Sequence, residues 1–223
     1  MPFRDRDDAG RQLAERLTQE TYESPVVLAL PRGGVPVAAH VATALRAPLE
    51  VYVARKIGAP GQPEFGIGAI AEGGNEIVVT GAGRAFGLGE EEMRRLADDE
   101  RAELDRRIAA YRGSTPLPAL RGRDVILVDD GLATGVTAEA AVRTLRGHHP
   151  RRILLAVPVC PPDTLERLSG IADDVISLSV PADLGGIGAW YQDFTQTTDD
   201  EVVGIVETFR AGASGSSSGG GLR

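Results

Sequence analysis

The chain has one cysteine, one lysine, few aromatic residues and no long apolar run. The lone Cys160 excludes an internal disulfide, and without a nearby Cys or His it is best interpreted as a small buried apolar residue. A formal charge of −8 argues against a nucleic-acid partner, which needs a basic surface. No signal-peptide core and no bilayer-length run is present, so we expect a cytoplasmic protein without a membrane partner.

The composition of the chain fits a globular α/β protein. Its 223 residues are 42% hydrophobic and 25% charged, which is enough for a sizeable core. Apolar runs alternate with helical patterns in the order of a doubly wound sheet. Core strands are predicted at 26–30, 49–53, 125–128, 153–157 and 175–178, and helices at 8–20, 35–46, 136–146, 163–168 and from Thr198 onward. We predict a single domain over 1–210 and a disordered Gly/Ser tail over 211–223.

Residues 57–123, which we call the arm, interrupt the alternating pattern. They combine a Gly/Pro-rich stretch with short strand-like runs at 67–71 and 76–80 and a charged helix at about 90–111. The arm is too small to bury a core of its own, so we predict a lid on the main domain. The apolar face of its helix is equally suited to a subunit contact.

The most informative segment is Asp124-Val-Ile-Leu-Val-Asp-Asp-Gly-Leu-Ala-Thr-Gly-Val-Thr137. Its apolar run predicts a strand covered on both faces, which places Asp129 and Asp130 at the strand end where open α/β sheets bind ligands. The loop that follows can present backbone N–H groups and a helix N-terminus to an oxyanion. A helix-capping turn is the alternative, but the loop holds more Gly and Thr than capping needs. The candidate loop residues are Gly131, Ala133, Thr134, Gly135, Val136 and Thr137.

This order of residues resembles the signature of the type I phosphoribosyltransferases, which bind 5-phosphoribosyl-1-diphosphate (PRPP). The resemblance covers about residues 26–193. It implies a mainly parallel five-stranded sheet with a flexible arm, a small hood at 181–197, and a homodimer. It also implies a pentosyltransferase in which Mg²⁺ binds at Asp129 and Asp130, these carboxylates hold the ribose hydroxyls, and the following loop holds the 5′-phosphate.

Two further segments match loops of this family. Arg32, Gly33 and Gly34 follow the first predicted strand, where an arginine fork and a close backbone approach suit a diphosphate. A simple glycine turn explains that segment alone about as well. Arg55 and Lys56 end the second strand and resemble a pair that meets the pyrophosphate. Every other one of the 24 basic residues is arginine, so the retained lysine indicates a need for a compact charge, although chance retention is the alternative.

The acceptor is predicted mainly by exclusion. Ala133 stands where enzymes for hypoxanthine, guanine and xanthine carry an Asp, and no lysine follows the fourth strand, so we expect a nitrogen acceptor other than a 6-oxopurine. In the hood, Trp190 and Tyr191 either stack on a planar acceptor or seal the hood core. Asp193 is a candidate metal ligand, and Glu64 in the arm is the candidate base.

In overall pattern the chain resembles poorly characterised phosphoribosyltransferase-like proteins that share its Arg-Lys-Ile-Gly-Ala-Pro and Tyr-Gln-Asp-Phe segments. The same fold and signature also occur in regulators that bind the donor as a signal without turning it over. The large arm and the missing loop Asp fit either case. A PRPP sensor therefore stays as the alternative function, with an interaction module as a more distant one.

Overall fold

A computed structural model describes residues 2–216 of the chain, apart from the side chains at 63, 64, 82 and 213–216. The elements are, in chain order, α1 Arg6–Leu17, β1 Val26–Ala29, α2 Gly34–Leu45, β2 Leu49–Val51, β3 Ala54–Ala59, β4 Gln62–Ala71, β5 Val78–Val79, α3 Gly81–Phe86, α4 Glu90–Arg112, β6 Asp124–Val128, α5 Val136–Arg146, β7 Arg152–Val159, α6 Pro162–Ser169, β8 Asp174–Ser179, a 3-10 turn Ile187–Trp190 and α7 Asp199–Ser216.

The main sheet has the order β2-β1-β6-β7-β8, and all of its strand pairs are parallel. This confirms the predicted five-stranded parallel sheet. The strand order reverses between β1 and β6, and the pairing of Ala29 with Val128 brings the carboxyl ends of these strands level. Open α/β sheets bind their ligands at such a switch point.

Both faces of the main sheet are covered by helices. Alternate residues of β1 and β6, such as Val27 and Ile126, pack toward α1, α2, α4 and α7, whereas Leu28 and Leu127 pack toward α5 and α6. Side chains of a strand alternate between faces, so a strand covered on both sides must be apolar throughout. That is why the central strands appear in the sequence as unbroken apolar runs.

The arm contributes most of a second, antiparallel sheet with the order β3-β4-β5. We did not predict β3, because Ala54–Ala59 mixes charged and small residues without apolar alternation. Strand β4 begins at Gln62, well before the predicted run, and β5 is shorter than predicted. Helix α3 was also not predicted. It is capped by Thr80, whose hydroxyl accepts a hydrogen bond from Gly83 N at 2.8 Å.

The apolar face of α4 is used within the chain. Met93, Ala97, Leu104 and Tyr111 are buried in the core, so the alternative that this face forms a subunit contact is wrong for these residues. Its charged residues pair along the outer side of the helix, as in Glu91–Arg95 and Glu103–Arg107.

Helix α7 begins at the predicted capping box, in which Glu201 N donates to Thr198 Oγ1 at 3.2 Å and Thr198 N donates to Glu201 Oε2 at 2.7 Å. The helix continues to Ser216, so the predicted tail is wrong over 211–216. Each residue added to a helix that has already formed gains one backbone hydrogen bond, and the sequence analysis did not consider this. Residues 217–223 of that prediction lie outside the described residues. Within residues 2–216, no helix is long and apolar enough to cross a bilayer.

Candidate active site

The loops after β1 and β6 meet at the switch point. A Cβ atom on Gly33 would lie 1.9 Å from Asp130 Oδ2, and one on Gly34 would lie 2.8 Å from Val128 O. Only residues without a side chain allow this approach. The structure therefore brings the predicted diphosphate loop into contact with the predicted ribose-binding carboxylate.

The carboxylates of Asp129 and Asp130 lie in a poorly hydrated environment. Asp130 is buried, and its backbone N–H donates to Asp129 Oδ1 at 2.8 Å. Burial raises the pKa of Asp129 well above its ordinary value, and the neighbouring charge of Asp130 raises it further. Burial also raises the pKa of Asp130, and the Arg6 guanidinium opposes this shift. Cations and ribose hydroxyls would stabilise these carboxylates in their ionised form.

Arg6, at the start of α1, is a site residue that the sequence analysis missed. Its Nε donates to Asp130 Oδ2 at 2.8 Å, and its Nη1 donates to Thr195 O at 2.7 Å. Its guanidinium carbon lies 3.9 Å from the ring centroid of Phe194. Arg6 and Asp130 are 124 positions apart, and no local pattern marks their contact.

The loop after Asp130 presents a helix N-terminus without a side-chain cap. Gly135 is the N-cap of α5 with φ of 63°, and Ala133 and Thr134 before it are exposed. Two residues of α6 donate to carbonyls of this loop: Thr164 Oγ1 donates to Ala133 O at 2.7 Å, and Arg167 donates to Thr134 O. The carbonyls of the loop are thus satisfied from α6, while the first N–H groups of α5 have no side-chain cap and suit an anion.

A cavity of about 750 Å³ lies beside this loop. Its lining includes Thr134 and Val136 as well as Val78 and Thr80 of the arm. The basic residues that line it are Arg84, Arg143 and Arg167. The arm therefore borders the predicted phosphate loop, where a lid would need to be.

A second cavity, of about 400 Å³, joins the diphosphate loop to the hood. Arg32 and Gly33 line it together with Arg6 and Asp130. Arg32 Nη1 lies 3.7 Å from Asp199 Oδ1, and the Arg32 side chain keeps about a third of its surface exposed. Two guanidinium groups and a carboxylate thus share one cavity, which suits a ligand with both phosphates and hydroxyls.

Arg55 and Lys56 do not act as one pair in this structure. Adjacent strand residues point to opposite faces, and Arg55 donates to Glu100 of α4 at 2.7 and 2.9 Å. Lys56 packs its stem against Gly66, whose added Cβ would lie 2.9 Å from Lys56 Cδ. The guanidinium of Arg55 is therefore held by Glu100 in this structure.

Tyr191 belongs to the hood core. It is buried between Phe3 and Phe194, with ring centroids 5.5 and 4.9 Å away, and its hydroxyl donates to Asp130 O at 2.6 Å. The packing of Tyr191 thus fits the alternative that it seals the hood core, rather than stacking on a planar acceptor. Trp190 is half-buried, and its Nε1 donates to Leu184 O at 3.2 Å.

The structure does not place Asp193 in a metal cluster. Its Oδ1 accepts hydrogen bonds from Thr195 N at 2.9 Å and Thr195 Oγ1 at 2.6 Å, which lower the pKa of this carboxyl. Over the described part of the chain, no three Asp, Glu, His or Cys side chains converge on a metal position. The pair Asp129 and Asp130 still fits Mg²⁺, which is commonly held by one or two carboxylates plus substrate phosphates. The Glu64 side chain lies outside the described residues.

Residues 5–193 match the phosphoribosyl transferase domain family, and the chain belongs to it. Members of this family are pentosyltransferases that use PRPP. The chain is 46% identical over 205 residues to Rv0571c of Mycobacterium tuberculosis H37Rv, whose name assigns it provisionally to the phosphoribosyl transferases. That match covers 92% of this chain but 46% of the relative, so the chain spans about half the length of the curated relatives it matches.

Among solved structures, TT1426 from Thermus thermophilus is similar over nearly its whole length. It is 46% identical, with a TM-score of 0.79, and the match covers 94% of this chain and 99% of that one. The fold described above is therefore that of a solved relative of about the same length.

Proposed function

We propose that this chain transfers the 5-phosphoribosyl group of PRPP to a nitrogen acceptor, with Mg²⁺ and with release of pyrophosphate. The observation that carries the proposal is the contact between the Gly33 loop and Asp130 at the switch point, one loop away from the uncapped N-terminus of α5. In the reaction, the bond from the anomeric carbon to the diphosphate oxygen breaks and its electrons leave with pyrophosphate. The acceptor nitrogen forms the new bond and loses a proton.

Each group of residues has a distinct part in this reaction. The 134–137 loop anchors the 5′-phosphate, and the carboxylates of Asp129 and Asp130 orient the ribose hydroxyls. Arg32 and the Gly33 backbone bind the diphosphate and stabilise the negative charge that develops on it, which is where catalysis gains most. When bound, Mg²⁺ would add to this charge neutralisation. Glu64 remains the proposed base for the acceptor proton.

The proposed acceptor is not a 6-oxopurine. Ala133 supplies no proton acceptor at the loop, and no lysine follows β7 to bind an exocyclic oxygen. Because such a site leaves a buried carbonyl unpaired and a ring proton without a base, hypoxanthine and guanine should react slowly. Pyrophosphate release with purines, pyrimidines and small amines tests this, and rapid conversion of either oxopurine would contradict it.

Lys56 is proposed to act on the departing pyrophosphate. Contacts that strengthen as charge develops affect turnover more than donor binding, so Lys56→Ala should lower kcat more than it weakens PRPP affinity. Unchanged turnover would make Lys56 an ordinary structural charge. The same assay on Arg55→Ala tests whether the Glu100 ion pair opens during the reaction.

A PRPP sensor without turnover is the second candidate. The arrangement of Arg55 favours it, because a cation predicted for the diphosphate is instead paired with Glu100. Tight PRPP binding without pyrophosphate release for any acceptor would favour the sensor over the enzyme.

The wider organisation is also part of the proposal. We propose that residues 1–210 act as one domain in a cytoplasmic homodimer and that the arm closes over the phosphate loop as a lid. Val78, Thr80 and Arg84 of the arm line the same cavity as Thr134, which supports the lid. Light scattering of the purified chain measures its oligomeric state, and a monomer would contradict the dimer.

A further inference from the structure

Arg6 links three separate parts of the molecule at one point. It lies at the start of α1 and donates to Asp130 in the candidate site and to Thr195 O in the hood. The side chains of Arg6 and Asp130 are each only 12% exposed. A charge pair so poorly hydrated is strongly coupled, because loss of one partner leaves the other charge buried and uncompensated.

The position of Arg6 is fixed by its surroundings. The N-terminal segment bridges to the hood through Phe3, whose N–H donates to Trp190 O at 2.7 Å and whose carbonyl accepts from Gln192 N at 2.8 Å. The Asp5 side chain caps α1 by accepting from Asp8 N at 2.7 Å. The guanidinium carbon lies over the ring of Phe194, within the range of a cation–π contact. Neighbouring contacts thus fix the position of both the backbone and the side chain of Arg6.

Asp130 has little freedom once Arg6 is in place. On one side the carboxylate touches the Gly33 backbone, where no side chain could fit. Arg6 Nε donates a hydrogen bond to Oδ2 of this carboxylate. The hydroxyl of Tyr191 donates to the main-chain carbonyl of Asp130. The carboxylate is therefore clamped between the diphosphate loop and the hood.

We infer that Arg6 is a positioning residue for the proposed transferase reaction, which fixes the Asp130 carboxylate in the orientation that binds the ribose. This inference rests on the proposed function. The N-terminal segment and the hood then form one support for the site, although they are distant in sequence from the signature loop.

The inference predicts a loss of PRPP binding when Arg6 is removed. Arg6→Ala should raise the Kd for PRPP with Mg²⁺ by about tenfold or more, the scale expected when a buried charge loses its partner. Arg6→Lys, which keeps the charge but not the fork, should fall between Arg6→Ala and the parent. Arg11→Ala is the matched control, since it removes the same charge from an exposed position on α1 and should bind as the parent does.

Two further measurements separate positioning from general packing. Added guanidinium ion at low millimolar concentration should restore part of the affinity of Arg6→Ala, because it can occupy the vacated place beside Asp130. The same ion should not restore PRPP affinity to Phe3→Ala, because this variant loosens the packing of the hood without removing a charge. In a double-mutant cycle, Arg6→Ala should cost little further affinity once Asp130 is Asn, because their effects share one interaction.

The outcomes distinguish this inference from the proposed function. If the parent does not bind PRPP, both fail. If the parent binds and Arg6→Ala binds equally well, Arg6 has no positioning role and the proposed function stands. Tighter binding by Arg6→Ala would mean that Arg6 competes with the substrate for Asp130, which also overturns the inference. Additive effects in the cycle, or no rescue by guanidinium in a folded Arg6→Ala protein, would assign Arg6 to packing alone.

Discussion

Gly33→Ala is a small change with a large expected effect. Gly33 has φ of −60° and ψ of −30°, a right-handed helical conformation that alanine adopts without strain. The added Cβ, however, would lie 1.9 Å from Asp130 Oδ2 and 2.5 Å from Asp130 Cγ. The carboxylate must therefore move, and its 2.8 Å hydrogen bond to Arg6 Nε must lengthen or break.

The size of the effect follows from two opposing contributions. A hydrogen bond to a charged group contributes roughly 1.5–3 kcal/mol. Replacing glycine by alanine at a compatible backbone position raises the free energy of unfolding by roughly 0.4–1 kcal/mol, because it lowers the conformational entropy of the unfolded chain. The free energy of unfolding of Gly33→Ala should therefore fall by about 0.5–2.5 kcal/mol. PRPP binding should weaken as well, because Asp130 is displaced.

Urea unfolding and PRPP calorimetry on the same protein measure both quantities. Gly204→Ala is the control, since Gly204 lies within α7 and an added Cβ there would meet nothing within 4 Å. It should stabilise the protein by about 0.5–1 kcal/mol and leave PRPP binding unchanged. If Gly33→Ala is as stable as the parent and binds PRPP equally well, the contact between the two loops has no functional role.

Two further substitutions and one reactivity measurement test other parts of the structure. Arg112→Ala leaves Glu72 as a buried unpaired carboxylate and should lower the free energy of unfolding by about 3–5 kcal/mol; a loss below about 1 kcal/mol in urea unfolding would contradict the buried pair. Hydrogen bonds from two neighbouring arginines lower the pKa of Glu103 from 4.5 to about 2, so its stabilisation is present above pH 4.5 and is lost as the pH falls toward 2. Glu103→Gln should reduce the change in the free energy of unfolding between pH 2 and pH 4.5, by less than about 1 kcal/mol because the Glu103–Arg107 ion pair is partly exposed. A pH dependence equal to that of the parent would refute the contribution of this ion pair. Burial raises the pKa of the Cys160 thiol to about 11, so it should react slowly with a disulfide reagent at pH 8 and rapidly in urea; fast reaction of the folded protein would contradict its burial.

The main sheet and the signature loop were predictable because their signals are local. A strand covered on both faces is apolar at every position, and the residues at its end are known from the sequence alone. The convergence of the Gly33 and Asp130 loops followed from topology, since parallel strands end at one edge of the sheet. Cys160 was predicted to be buried because the sequence offers it no second Cys and no nearby His, and it is buried in the structure.

The remaining features depend on contacts between distant residues. No pattern near Arg6 indicates Asp130, and no pattern near Arg55 indicates its ion pair with Glu100. Tyr191 is equally suited by sequence to a ligand or to the core, and only its packing against Phe3 decides between them. Strand β3 lacks apolar alternation and forms because β4 pairs with it. Tertiary context overrides local pattern in each of these cases.

The most direct test of the central claim is calorimetric titration of PRPP with Mg²⁺ into the parent protein and into the double variant Asp130→Asn/Thr134→Ala. This variant removes the carboxylate charge proposed to bind the ribose and one hydroxyl of the loop proposed to bind the 5′-phosphate. The parent should bind, and the variant should bind more weakly by at least about 2 kcal/mol, the scale of losing a charged hydrogen bond together with a neutral one. A parent that does not bind, or a folded variant that binds as tightly as the parent, would contradict a PRPP site at the switch point.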